Sequence, residues 1–311
     1  MNSFDRREFL KRVGAVGAAL GIFPLEACAT GKPGGKIDPP TPEDQRRLSA
    51  WVSKLSPPGV RFRRGPLGWS AAAVGEMAIG TPYEAFTLEQ YLKAGGDPVQ
   101  QEPLALSLTK FDCVTLVEAC LAVARIARKS GKPSWGAFAD EIERMRYRGG
   151  LRIGFASRLH YFSEWISDGE KRGLVRDLGK ELGGNLDSRP LRFMTEHRAS
   201  YPGLKNDFVF REIGNMERAL DARARYVIPT DRISLVSDKI QSGDVLAFAT
   251  SIAGLDVTHA AFAYREKTTG PLRVLHAPLS GGSVEISQRS LSDYVTAIKR
   301  STGILVARPL D

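Results

Sequence analysis

Cysteine and histidine are both scarce in this 311-residue chain, which holds 3 of the first and 4 of the second. Three cysteines, Cys28, Cys113 and Cys120, cannot build a disulfide framework. The last two fall on one helical pattern, and the usual rise separates them by about 10 Å, beyond bridging distance. Any sulfur chemistry therefore uses free thiols. No HExxH segment and no paired-cysteine spacing occurs, so metal catalysis is disfavoured and no cofactor is expected. Internal repeats are absent too. The longest apolar stretch of the chain's body, residues 106–127, is broken by Glu118 and Arg125 and is too short to cross a bilayer. A net charge of +9 suits anionic envelope polymers or membrane surfaces. The arginine-and-aromatic pattern of a nucleic-acid reader is missing, so no nucleic-acid partner is expected. What is present, 42% hydrophobic and 25% charged residues, suffices for one large core or two small ones.

The first 27 residues read as a targeting segment rather than as fold. Asp5-Arg6-Arg7-Glu8-Phe9-Leu10-Lys11 matches the twin-arginine export pattern, and Val13 to Leu25 supply a mildly apolar run. Leu25-Glu26-Ala27-Cys28 resembles a lipobox, which makes Cys28 a candidate for lipidation and places the protein in the periplasm or cell envelope. Residues 28–41, rich in Gly, Pro and Lys, read as a flexible tether, and one domain is expected over 42–311.

Thr41-Pro42-Glu43-Asp44 has the cap, proline and early acids of a helix start. Helical patterns continue over Ala71 to Ile79, Leu88 to Lys93 and Trp135 to Arg146, and over Ser157 to Lys171 as a helix or a helix joined to a loop. Residues 186–224 carry a weak signal. Beyond Tyr226 the apolar residues come in short runs, at 245–249, 260–264, 272–275, 284–286 and 304–306, with Ser280-Gly281-Gly282 as a hairpin turn. Helices first and antiparallel strands second give an α+β fold.

The chemistry centres on Asp112-Cys113 at the head of an apolar helix. A cysteine in a first helical turn meets unpaired N–H groups and the positive end of the dipole, which favours thiolate. A cysteine nucleophile also needs a base and a group to orient that base. His259 begins one strand and His276 ends the next, so neighbouring antiparallel strands can set the two imidazoles side by side. The expected arrangement has His276 accepting from Nδ1–H of His259, leaving Nε2 toward the sulfur. Cys120 reads as a core residue. Tyr83, in Gly80-Thr81-Pro82-Tyr83, is a candidate substrate or oxyanion contact, as is Asp112, whereas His160, Tyr161 and Trp165 are candidates to line a sugar or peptide subsite.

Phe111-Asp112-Cys113-Val114, Gly243 to Phe248, Thr258 to Tyr264 and Leu275-His276-Ala277-Pro278 follow in the order and approximate separations of the NlpC/P60 superfamily, with Tyr83 at its upstream tyrosine. More narrowly, Asp112 to Glu118, Arg158 to Ile166 and Gly254 to His259 resemble the DUF1460 family, described as N-acetylmuramoyl-L-alanine amidase-like. The resemblance spans roughly residues 70–310. It implies a papain-like fold, with the nucleophile helix packed on the sheet. It also implies Cys113 as nucleophile, His259 as base and His276 as orienting residue, cutting the amide between N-acetylmuramic acid and L-alanine in peptidoglycan or muropeptides. Leu116 stands where an aromatic residue is usual and Ala260-Ala261 replaces Val-Gly; neither touches the triad. Two alternatives remain open: an endopeptidase cutting the D-glutamyl bond of the stem peptide, and a non-catalytic envelope-binding lipoprotein. A permuted lipid acyltransferase would place its histidine before its cysteine, the reverse of the order here.

Overall fold

The computed structural model describes residues 36–55, 65–266, 269–279 and 282–311. The expected export segment, Cys28, and Ser280-Gly281 of the expected turn lie outside the described residues. Of the expected tether, residues 36–41 are described, and they are packed rather than free. Ile37 bridges Leu104, whose N–H donates to the Lys36 carbonyl at 2.9 Å, and the Trp135 indole N–H donates to the Asp38 carbonyl at 2.7 Å. The ordered body of the protein thus begins before Pro42.

Helix α1, Pro42–Leu55, starts where Thr41 and Asp44 cap one another reciprocally. It is followed by α2, Leu67–Met77, α3, Cys113–Arg128, and α4, Trp135–Arg146, which Ser134 caps. Next come α5, Phe162–Lys171, and α6, Asp207–Asp221. Shorter helical turns connect these, and α7, Leu291–Thr296, lies late in the chain.

Every residue of α3 from Leu116 to Ala127 is buried, as its all-round apolar sequence requires. The two charges in this buried stretch survive because each has partners. The Arg146 guanidinium of α4 donates to the Glu118 carboxylate at 2.8 Å, and Arg125 donates to the carbonyls of Leu174 and Leu310.

The strands are β1 Val175–Asp177, β2 Asn185–Leu186, β3 Tyr226–Pro229, β4 Val245–Thr250, β5 Val257–Tyr264, β6 Arg273–His276, β7 Glu285–Ile286 and β8 Ser301–Pro309. They form one sheet in the order β2-β3-β8-β4-β5-β6-β7, with β1 also on β8, and each pairing is antiparallel. Alternation sorts the two faces. Val245, Ala247, Ala260 and Phe262 pack toward α3 and its neighbours, whereas Leu246, Phe248, Ala261 and Val274 pack toward Leu291 and Val295 of α7. The expected α+β architecture is therefore present, with the cysteine helix against the sheet.

One close approach joins the halves. Gly243, just before β4, has φ 84°, and a Cβ there would lie 1.7 Å from the Gly68 carbonyl oxygen at the head of α2. Only glycine fits this contact without moving backbone. The weakly signalled stretch 186–224 holds α6, capped by Asn206, whose Val209, Ile213, Met216 and Leu220 build a satellite core with Phe155 and Tyr161.

Candidate active site

The site is assembled from the start of α3 and the ends of β5 and β6. Asp112 fixes that start: its Oδ1 accepts from the backbone N–H groups of Val114 at 3.0 Å and Thr115 at 2.7 Å, and Thr115 Oγ1 accepts from the Asp112 N–H at 2.9 Å. This capping box places Cys113 at the first helical position. Its sulfur is within reach of three backbone N–H groups, those of Ala260, Cys113 and Val114. Ala260 follows His259, so the nucleophile candidate lies against the strand that carries the base candidate.

The strand is irregular at this point. Ala247 pairs with Ala260 but Ala249 pairs with Val257, so Thr258 and His259 together face the single residue Phe248. Such a bulge re-aims the side chains that it carries. The His259 ring rests 5.4 Å from that of Phe248, and His259 Nε2 lies 2.8 Å from Nδ1 of His276. The ring orientation is thus the reverse of the expected one. Nε2, not Nδ1, is engaged with His276. His276 is fully buried, wedged edge-on between His259 and Tyr294 at centroid distances of 5.0 and 5.1 Å.

Tyr83 joins the same place. It bridges Phe111, and its N–H donates to the Gly282 carbonyl at 2.9 Å. Its phenol is pushed up by burial and by the charges of Cys113 and Asp112, so it stays protonated and able to donate.

Electrostatics set the resting state. Burial pushes the Cys113 thiol up to about 12, and the Asp112 carboxylate adds to the rise, outweighing the three N–H groups that favour thiolate. The expected thiolate-favouring helix terminus is present but loses this competition. Burial lowers His259 to about 4, and burial followed by the charge of His259 lowers His276 to about 2. Thiol and imidazoles are therefore neutral around pH 7. Among the described residues, no group of three or more His, Cys, Asp and Glu is placed to hold a metal ion.

Comparison with known proteins identifies the family. Residues 73–304 match the AmiA-like family, described as N-acetylmuramoyl-L-alanine amidase-like. The chain belongs to this family. Among solved structures it is similar to an N-acetylmuramoyl-L-alanine amidase from Bacteroides uniformis, at 28% identity and TM-score 0.70 over 79% of this chain and 99% of that one. A protein from Bacteroides fragilis described as a candidate xylanase is 33% identical, with TM-score 0.67 over 75% and 98% of the two chains. A Legionella pneumophila protein described by the DUF1460 family model shares the fold at 18% identity and TM-score 0.60 over 86% and 96%. No match is found among curated proteins.

Tyr83, Asp112, Cys113, His259 and His276 all lie within the family span and are brought together. The expected subsite residues are not. Tyr161 is 1% exposed, and its hydroxyl donates to Glu217 at 2.7 Å within the satellite core. Trp165 is 4% exposed and stacks on Phe162 in the main core. Both are packing residues, because α6 covers the first and the body of the sheet covers the second. His160 is half-buried, with Nε2 bonded to the Phe155 carbonyl at 2.8 Å and its ring against Phe155. Asp112 is committed to its cap. Tyr294 and the N–H of Ala260 were not anticipated; neither carries a sequence signal before the strand pairing is known.

The neutral imidazole of His259 gives a pH signature. An unfolded His259 takes its proton near 6.5 and a folded one near 4, so the unfolded chain binds more protons between these values. Stability should therefore fall as pH drops from 6.5 toward 4 and should not change on this account above 6.5. In urea titrations the wild-type midpoint should drop further across that window than that of His259→Gln, and parallel curves would contradict a neutral buried imidazole.

Proposed function

We propose that this protein is a cysteine-dependent cell-wall amidase that cuts the amide between the lactyl group of N-acetylmuramic acid and L-alanine, in peptidoglycan or its fragments. The observation that carries the reading is the His259–His276 hydrogen bond, set next to a capped helix start that holds a free thiol. In this reading the fold is the papain-like one of the NlpC/P60 superfamily. Nδ1 of His259 takes the Cys113 proton as sulfur attacks the lactyl carbonyl. A neutral resting pair suits this, since charge then develops only along the reaction path.

The backbone N–H groups at the head of α3 and the Tyr83 hydroxyl are donors for the developing oxyanion. Nε2–H of His259 donates to His276, which keeps the ring in the tautomer whose Nδ1 is free. The resulting imidazolium protonates the departing alanine amine. Water activated by the same imidazole then clears the thioester.

A glycoside hydrolase, the chemistry named for the Bacteroides fragilis protein, requires two carboxyl groups about 5–9.5 Å apart across the scissile bond. The carboxyl beside the sulfur here, Asp112, is already occupied by its cap. The choice of the muramoyl–alanine bond over the D-glutamyl bond of the stem peptide rests on the family description and on the amidase from Bacteroides uniformis.

Cys113→Ala and Cys113→Ser should abolish hydrolysis of muropeptides while Cys120→Ala keeps it, with mass spectrometry of wild-type digests showing a free L-alanine amino terminus and intact muramic acid. Turnover by Cys113→Ala equal to wild type would remove the mechanism; a new diaminoacyl amino terminus would replace the amidase with the endopeptidase.

The twin-arginine pattern and the lipobox at Cys28 support an exported protein that a lipid holds at the membrane of the envelope, with the catalytic domain beyond a short linker. Cys28→Ala should shift the protein from the membrane fraction to the soluble periplasmic fraction. A wild type already soluble would count against the anchor.

A further inference from the structure

The catalytic reading leaves one buried polar atom without a partner. His276 is fully buried, and among the described residues its Nε2 has no hydrogen-bond partner. An imidazole whose Nδ1 accepts from His259 must carry its proton on Nε2, so a donor is buried with nothing to receive it. Leaving it so carries the desolvation penalty of an unmade hydrogen bond. It also favours the wrong tautomer. With the proton on Nδ1, His276 would donate to Nε2 of His259, and the proton of His259 would move to Nδ1, where the base must be free.

The residue opposite His276 in the β6–β7 pairing is Glu285. Residues paired in this way project to the same face of the sheet. Glu285 Oε1 lies 3.7 Å from Nε2 of His276, about 1 Å beyond a charge-assisted hydrogen bond, and the half-exposed carboxylate has room to rotate. Its charge also reaches Tyr294, on the far side of the His276 ring, whose phenol is pushed up to about 12 by burial and then by Glu285. Among the described residues, His259, Tyr294 and Glu285 are the titratable groups facing His276.

We propose that Glu285 is a positioning residue that accepts the Nε2–H of His276, extending the relay to Cys113-His259-His276-Glu285. This inference rests on the cysteine-hydrolase reading above. The carboxylate fixes the tautomer of His276 and, through it, the tautomer of His259. It also supplies the negative charge that a neutral histidine in the third position lacks when His259 becomes an imidazolium. The exchange balances: one proton moves from sulfur to Nδ1 of His259, and the two hydrogen bonds beyond it shorten without further transfer.

Kinetics and nitrogen NMR on the full chain test this together. Glu285→Ala should lower kcat roughly 10- to 100-fold with KM little changed, less than the loss of a general base itself. Glu285→Asp and Glu285→Gln should recover part of the loss, since each keeps an acceptor. In 15N-histidine spectra, wild-type His276 should carry its proton on Nε2, and Glu285→Ala should shift population toward Nδ1–H, a change that a merely structural role would not produce. Wild-type kcat with an unchanged tautomer in Glu285→Ala would overturn the proposal, as would a rise in KM alone, which would make Glu285 a substrate contact. Failure of the underlying reading is separately visible: Cys113→Ala would remain active whatever the His276 tautomer.

Discussion

Where helix α3 begins decides everything that follows, and three hydrogen bonds decide it. The Asp112 carboxylate takes the N–H groups of Val114 and Thr115, and Thr115 returns a hydroxyl to the Asp112 N–H. Loss of such a cap costs about 1 kcal/mol in stability. Here a shift of the helix start by one residue would also rotate the sulfur by about 100° away from the N–H of Ala260, given 3.6 residues per turn. The packing downstream allows no such shift. Helix α3 is buried from Leu116 to Ala127, and the two charged residues in that stretch are locked to Arg146 and to the carbonyls of Leu174 and Leu310.

The same burial shapes the chemistry. Taking Cys113 and His259 out of water disfavours thiolate and imidazolium alike, so the resting site is neutral although a helix terminus points at the sulfur. A low-polarity site strengthens each remaining dipole. In the proposed mechanism the N–H groups around the sulfur, the Tyr83 hydroxyl and the histidine pair act when charge appears rather than before. The bulge at Thr258-His259 is the backbone device behind this arrangement, because it re-aims the His259 side chain at the strand end.

Much of this was legible in the residues. Asp112-Cys113 at the head of an apolar stretch marked the start of α3, and the short runs from Val245 onward marked the sheet. The orientation of the His259 ring was not legible. It depends on a bulge that comes from register between β4 and β5, and local sequence does not encode register. Tyr161 is closed off by α6, a helix that Asn206 and the spacing of Val209, Ile213, Met216 and Leu220 announce, and Trp165 by the main core. With α6 in place, Tyr161 has Glu217 for a partner and no open surface. The sulfur's resistance to ionisation follows from how completely its surroundings are packed, which a helix dipole argument alone does not contain.

The central claim is that a thioester forms on Cys113 and that its acyl group comes from the muramic acid side of the bond. Acid-quenched single turnover with a defined muropeptide, followed by mass measurement of the proteolytic fragment containing Cys113, tests both parts at once. The account predicts a fragment heavier by the N-acetylmuramoyl lactyl acyl group, absent in Cys113→Ser and accumulating when deacylation is slowed. An unmodified fragment throughout turnover, or one carrying a stem-peptide acyl group, would contradict it.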